Sequence, residues 1–207
     1  MIYRMFTVFI MLMIVGSKLS QFCRASDADA LPLAIEVELS NTEKTIISEW
    51  LRITFPIPNV DTLAIKDHTE FFLRHTDISE IHEILNNMQQ RANALKQSTI
   101  DNFLAMNKCE CRIPRQLNSY DRILLIDEKM LSSVLSNSDG WKTFYNKYPG
   151  VPGVLAFSRP GLDENKTQAL LYVSHYVNHL AGNGKLYLLK KTGDNWEIEV
   201  TFQVWVS

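Results

Sequence analysis

The chain has 207 residues, 46% apolar and 21% charged, an ordinary globular composition with enough material for one domain and a sizeable core. Its formal net charge of −2 lacks the basic excess expected of a nucleic-acid binder, so a nucleic-acid partner is not expected. There is no long run of like charge, no low-complexity tract and no evident internal repeat.

The first thirty residues, MIYRMFTVFIMLMIVGSKLSQFCRASDADA, place a basic residue (Arg4) before an apolar run from Met5 to Val15 and a polar stretch with small residues. This is the three-part layout of a secretory signal peptide. The run is about half the roughly 20 residues that a spanning helix needs, so no permanent membrane span is expected once the signal is removed. Cys23-Arg24-Ala25 and Ala28-Asp29-Ala30 each put small residues three and one before a cut. The reading is a signal peptide over 1–25, with the cut as late as 30, followed by a single domain over 26–207 and a secreted or periplasmic location. Gln21 and Phe22 argue against lipidation at Cys23.

SNTEKTIISEWL opens with Ser40 and Glu43 in capping-box spacing and reads as a helix. FPIPNV then breaks it, because Pro56 and Pro58 remove backbone donors. From Ile78 to Met106 no Gly or Pro interrupts. Asp77 and Glu80 offer another capping box there, and Ile81, Leu85, Met88, Ala92 and Leu95 recur on one face. A long helix is predicted, with Gln97-Ser98-Thr99 as the place for a bend. His68, His75 and His82 fall seven apart, but the RHTD around His75 looks like one helix ending and another beginning, so surface histidines are expected and no metal site.

Signal removal leaves Cys109 and Cys111, in NKCECRIP, as the cysteines of the mature chain. Thiols tend to pair in an oxidising compartment, and a local Cys109–Cys111 disulfide is the preferred reading. The tight ring of a Cys-x-Cys bridge would be strained and easily reduced, which leaves a redox role or two unpaired thiols as alternatives. Zinc would need four ligands, and there is no second cysteine pair.

The last third changes period. GVLAFSR (153–159), TQALLYVSHYV (167–177), KLYLLKK (185–191) and WEIEVTFQVWV (196–206) read as strands separated by turn residues. In the last, Trp196, Ile198, Val200, Phe202, Val204 and Val206 alternate with polar residues, which predicts one apolar face on a core. Trp196 and Phe202 are expected in that core. Short connections favour a meander, so the fold class is α+β, with N-terminal helices, one of them long, packed on a C-terminal antiparallel β-meander.

His175 and His179 share parity with Leu171, Val173 and Val177. On a straight strand they lie roughly 13 Å apart, too far to share a metal. Gly182 and Gly184 predict a turn just after them. The chain contains no Gly-x-Ser-x-Gly elbow, and adjacent strand positions do not bring a nucleophile to its base, which counts against a hydrolase built on Ser158 or Ser174 with His175 or His179. No cofactor or metal is expected.

The stretch from Trp141 to Ile198 carries Tyr148-Pro149; Ser158, Arg159 and Gly161; Ala169, Leu170, Tyr172 and Val173; the turn glycines Gly182 and Gly184; Tyr187, Leu188, Leu189 and Lys191; and Trp196. In this it resembles the C-terminal module of a group of exported bacterial proteins of unknown function. The resemblance covers roughly the last third of the chain and implies export, but no activity. Asn178-His179 stand where similar proteins often have glycines, and Asp194-Asn195 separate Gly193 from Trp196. The expected function is a non-catalytic binding or interaction domain, for a protein or small-molecule ligand. The alternatives are a small-ligand pocket domain of helix-on-curved-sheet type and the Ser/His hydrolase. Candidate ligand-binding residues are Arg159, Tyr172, His175 and His179. Asn165, in Asn-Lys-Thr, would be a glycan acceptor in a eukaryotic source.

Overall fold

A computed structural model describes residues 37–56, 62–70, 78–91, 95–117, 123–136 and 138–207. The expected signal segment with Cys23, His75 and the expected Asp77 cap lie outside these residues. Among them no helix is long and apolar enough to cross a membrane.

The elements run α1 (Asn41–Thr54), β1 (Leu63–Lys66), α2 (Ile78–Arg91), α3 (Gln97–Met106), β2 (Ile123–Ile126), α4 (Glu128–Leu135), α5 (Ser138–Lys147), β3 (Val154–Phe157), β4 (Gly161–Leu162), β5 (Gln168–Asn178), β6 (Ala181–Thr192) and β7 (Asn195–Val206). Helices dominate the first half and strands the second, so the fold is α+β. The strands form one sheet in the order β2-β1-β3-β5-β6-β7, with β4 also paired to β5. β1 is parallel to both β2 and β3, while β3, β5, β6 and β7 are antiparallel in succession. The meander is therefore one half of a larger mixed sheet.

Ser40 and Glu43 cap α1 reciprocally: the Glu43 N–H donates to Ser40 Oγ and the Ser40 N–H to Glu43 Oε2. The predicted long helix is instead two helices. Lys96 precedes α3 in an extended conformation, where Gln168 of β5 accepts from both its N–H and the Thr99 hydroxyl, each at 2.9 Å. A partner from the sheet thus replaces the helical hydrogen bond that would carry α2 into α3.

Both faces of the sheet are covered. On one, α1 sets Ile46, Ile47, Trp50 and Leu51 against Leu63, Ile65, Leu155, Phe157, Leu171 and Val173. On the other, α2 and α3 cover Leu170, Tyr172, Leu186 and Leu188. Beyond them on this face, α4 and α5 cover Ala64, Ile126 and Val154.

β7 does not keep one face. Leu188 pairs with Val200 but Leu189 with Ile198, so Glu199 is an extra, bulged residue. The bulge sends Trp196 and Ile198 to the α1 side and Val200 and Phe202 to the α2 side. A second bulge at Val204 turns Trp205 inward and leaves Val206 75% exposed, reversing the parity expected at the strand's end. Trp196 is buried as expected, whereas Phe202 is half-buried beneath the Arg91 guanidinium.

The expected Cys109–Cys111 bridge is not formed. Cys111 is a free thiol, fully buried in the core under α1. Its backbone is held at both ends by Thr69, whose hydroxyl accepts the Cys111 N–H and whose own N–H donates to the Cys111 carbonyl. That clamp turns the side chain into the core.

Candidate functional site: a carboxylate among hydroxyls and rings

After β1 the chain stays extended along the sheet. Ile113 donates its N–H to the Asp67 carbonyl, Cys111 clamps Thr69, and the Glu70 N–H donates to the Phe157 carbonyl. These bonds carry Glu70 to the end of β3, beside β5. On β5, Tyr172, Ser174 and Tyr176 alternate onto the face covered by α2–α5, because strand side chains repeat every two residues. Here the hydroxyl of Ser174, itself fully buried, donates to Glu70 Oε2 at 2.8 Å, and Tyr176 donates to Oε1 at 3.3 Å. The cluster occupies the seam between the side chains under α2 and α3 and those under α4 and α5.

Trp205 closes the other side. Its Nε1–H donates to the Tyr172 hydroxyl at 2.7 Å, and its ring lies 5.8 Å from that of Tyr176 at 35°. Gly184 makes room for this. A Cβ there would collide with Trp205 Nε1 and the Tyr172 hydroxyl. Gly182 and Gly184 are thus extended residues of β6 and not the expected turn, which lies at His179-Leu180, where the Leu180 N–H caps on Asn178 Oδ1. Burial pushes the Tyr176 phenol up to about 12, with the Glu70 charge adding to the rise. Burial raises Tyr172 as well, against the lowering effect of the Trp205 donor. Both phenols therefore act as hydroxyls at neutral pH, Tyr176 as a donor to Glu70.

Of the four residues singled out in the sequence, Tyr172 alone belongs to this cluster. Arg159 is spent elsewhere: its Nε donates to Glu43 Oε1 at 2.8 Å, with both side chains nearly buried. Its backbone is bracketed by the Asn107 amide. His175 points to the opposite face, where its Nε2–H donates to the Pro152 carbonyl at 3.0 Å and its ring meets Phe55 edge-on. Burial lowers its pKa, which favours the neutral ring. His179 is exposed at the hairpin tip.

Neither serine meets a histidine. Ser158 Oγ accepts the Tyr172 N–H and donates to the Arg159 carbonyl, and Ser174 is turned away from His175 toward Glu70. Burial pushes the Cys111 thiol up to about 11, partly offset by Arg159, so it stays protonated. Among the described residues no group of three or more His, Cys, Asp or Glu is placed to hold a metal ion.

Two surface clefts lie away from the cluster. One, of 620 Å³, runs between α4 and α5; the other, of 560 Å³, lies between the start of α1, α3 and the 160–166 loop. The layer between α2 and the sheet is filled by Ile81, Leu85, Met88, Leu186 and Leu188.

Glu70 was not among the sequence candidates, and Ser174 entered only as a nucleophile for the alternative hydrolase. They are 104 residues apart and share no motif.

Compared with known proteins, the chain matches no family model, no curated protein and no solved structure.

Proposed function

We propose that the chain is an exported, non-catalytic binding domain that recognises its ligand at the Glu70–Ser174–Tyr176–Trp205 cluster. The observation that carries this reading is the distribution of polar groups. Ser158, Arg159 and His175 are each committed to bonds that hold the fold and face different directions. Glu70, Tyr176 and Trp205 are half-exposed and gathered at one place, where a few convergent polar groups beside aromatic surface are what recognition requires. A deep pocket between helix and sheet is the weaker alternative, because apolar side chains fill that layer. The hydrolase is weaker still, since its nucleophile would lack a histidine base. Export rests on the Arg4–Ala25 signal layout.

Two measurements test the reading. N-terminal sequencing of the secreted or periplasmic protein is expected to give a start between Ser26 and Leu31, and a start at Met1 would refute export. A thermal-shift screen against amines, sugars, carboxylic acids and nucleotides is expected to find compounds that stabilise the parent more than Glu70→Gln. Ester hydrolysis by the parent that disappears in Ser174→Ala would overturn the non-catalytic assignment.

A further inference from the structure

We propose that Glu70 anchors a subsite for an organic ammonium group, with the Tyr176 and Trp205 rings as its aromatic wall. This rests on the reading of the cluster as a binding site and names the chemistry of its ligand.

Several carboxylates of the fold pair with a basic side chain; other, exposed ones such as Asp101 and Asp127 take neutral donors. Glu43 pairs with Arg159 at 2.8 Å, Asp163 with Lys96 at 2.6 Å, Glu128 with Lys66 at 3.0 Å and Glu49 with Arg52 at 2.8 Å. Glu70 is different. Its side-chain partners among the described residues are the Ser174 and Tyr176 hydroxyls, and no described basic side chain lies within ion-pair distance of it. Lys185, across from Val173 on β6, belongs to the opposite face with His175.

Each hydroxyl uses one acceptor position on its carboxylate oxygen, and each oxygen has two, so half of Glu70's capacity remains for a ligand. Because one hydroxyl holds each oxygen, the carboxylate is oriented before any ligand arrives, which lowers the ordering cost of binding. The neighbouring rings select further. Tyr and Trp faces attract cations within about 6 Å through their quadrupole, and they repel anions. Tyr176 meets the carboxylate through its hydroxyl and its ring packs 5.8 Å from that of Trp205, so a cation held on Glu70 would lie beside aromatic surface, and the three N–H donors of R–NH3⁺ suit the free acceptor positions. A neutral alcohol would forgo the charge term, and a carboxylate ligand would face Glu70 directly.

The test uses the mature chain and the Nε1–H resonance of Trp205, identified by its loss in Trp205→Phe. Butylammonium, n-butanol and butyrate are titrated in turn at low and high salt. Butylammonium is expected to shift the resonance saturably and to bind at least about tenfold more tightly than the other two, with affinity falling as salt rises. In Glu70→Gln that preference is expected to disappear. Equal binding of n-butanol, or an unchanged preference in Glu70→Gln, overturns the ammonium assignment while leaving a binding site at the cluster. A Trp205 resonance that none of the three probes moves overturns the subsite and the binding-site reading together. The comparison of probes on the parent protein stands even if the Glu70 variant folds poorly.

Discussion

Asp163 and Glu70 lie against the two ends of β5 and are held by different means. Asp163 is almost wholly buried and takes a Lys96 ammonium at 2.6 Å, the Thr167 hydroxyl at 2.9 Å and the N–H groups of Thr167 and Gln168 at 2.7 and 2.8 Å. Glu70 is half-exposed and takes two hydroxyls. The first arrangement gathers four donors on one carboxylate, which closes a turn and fastens α3 to the sheet. The second orients a carboxylate without neutralising it. A charge satisfied from within the fold stabilises structure; one left without a counter-charge is open to a partner.

The largest expected effect comes from removing the closed carboxylate. Asp163→Ala leaves the N–H of Gln168 without its acceptor in a buried position, and the turn loses its centre. The cost should be about 2–3 kcal/mol, read by urea denaturation, because an unsatisfied buried donor costs about 1–3 kcal/mol, while Thr167 beside it is exposed and its N–H can turn to water. Lys96 is 47% exposed and regains water, which keeps the loss below that of stranding a buried charge. A change under about 1 kcal/mol would break the contrast.

The same carboxylate should govern acid stability. Burial alone would raise the Asp163 pKa, but Lys96, Gln168 and Thr167 together lower it from 3.8 to about 2. A depressed folded-state pKa contributes stability that is present above the unfolded value and is lost as pH falls through the folded one. Between about pH 4 and pH 2 the parent should lose roughly 2 kcal/mol through this group. In Asp163→Ala the melting temperature should fall less steeply over that window. Parallel curves for the two proteins would remove the assignment.

Gly184→Ala probes the wall of the open site. The added methyl cannot coexist with the present positions of Trp205 Nε1 and the Tyr172 hydroxyl, so their hydrogen bond must stretch or break. We expect about 1–2 kcal/mol of destabilisation and a marked shift of the Trp205 indole resonance. Gly193→Ala is not an equivalent control, since that residue has a φ of +63°, where any side chain is strained.

Local signals in the sequence reach as far as local physics decides the outcome. The Ser40–Glu43 capping box placed α1, and the alternating period placed β5, β6 and β7. β1 and β2 escaped because four-residue stretches such as LAIK and ILLI have no alternation to betray them; β1 is buried throughout and β2 is partly buried along most of its length, so neither shows a polar face. α4 and α5 went unread as well, although Asp127 does cap α4 through the Met130 N–H. The break between α2 and α3 depends on Gln168, roughly seventy residues away, and the reversed parity of Trp205 depends on bulges set by strand pairing. Tyr172 could be picked out as polar-tipped within an apolar strand. Its association with Glu70 is a matter of register, and Arg159 and His175 read as pocket residues only because a sequence does not say which face a side chain takes.

The smallest expected effect is that of Glu70→Gln on stability. Glutamine keeps the shape and retains one oxygen to accept from Ser174 or Tyr176. Its NH2 would face the other hydroxyl, which can turn to accept instead of donate. Glu70 is half-exposed, so water can satisfy what the amide does not. The net change should stay under about 1 kcal/mol, well short of that for Asp163→Ala under the same conditions. If the two variants melt alike, Glu70 is as much a part of the frame as Asp163, and the contrast between a closed and an open carboxylate fails. If Glu70→Gln is instead more stable than the parent, the uncompensated charge is a cost that the native fold carries, as sites selected for binding often do.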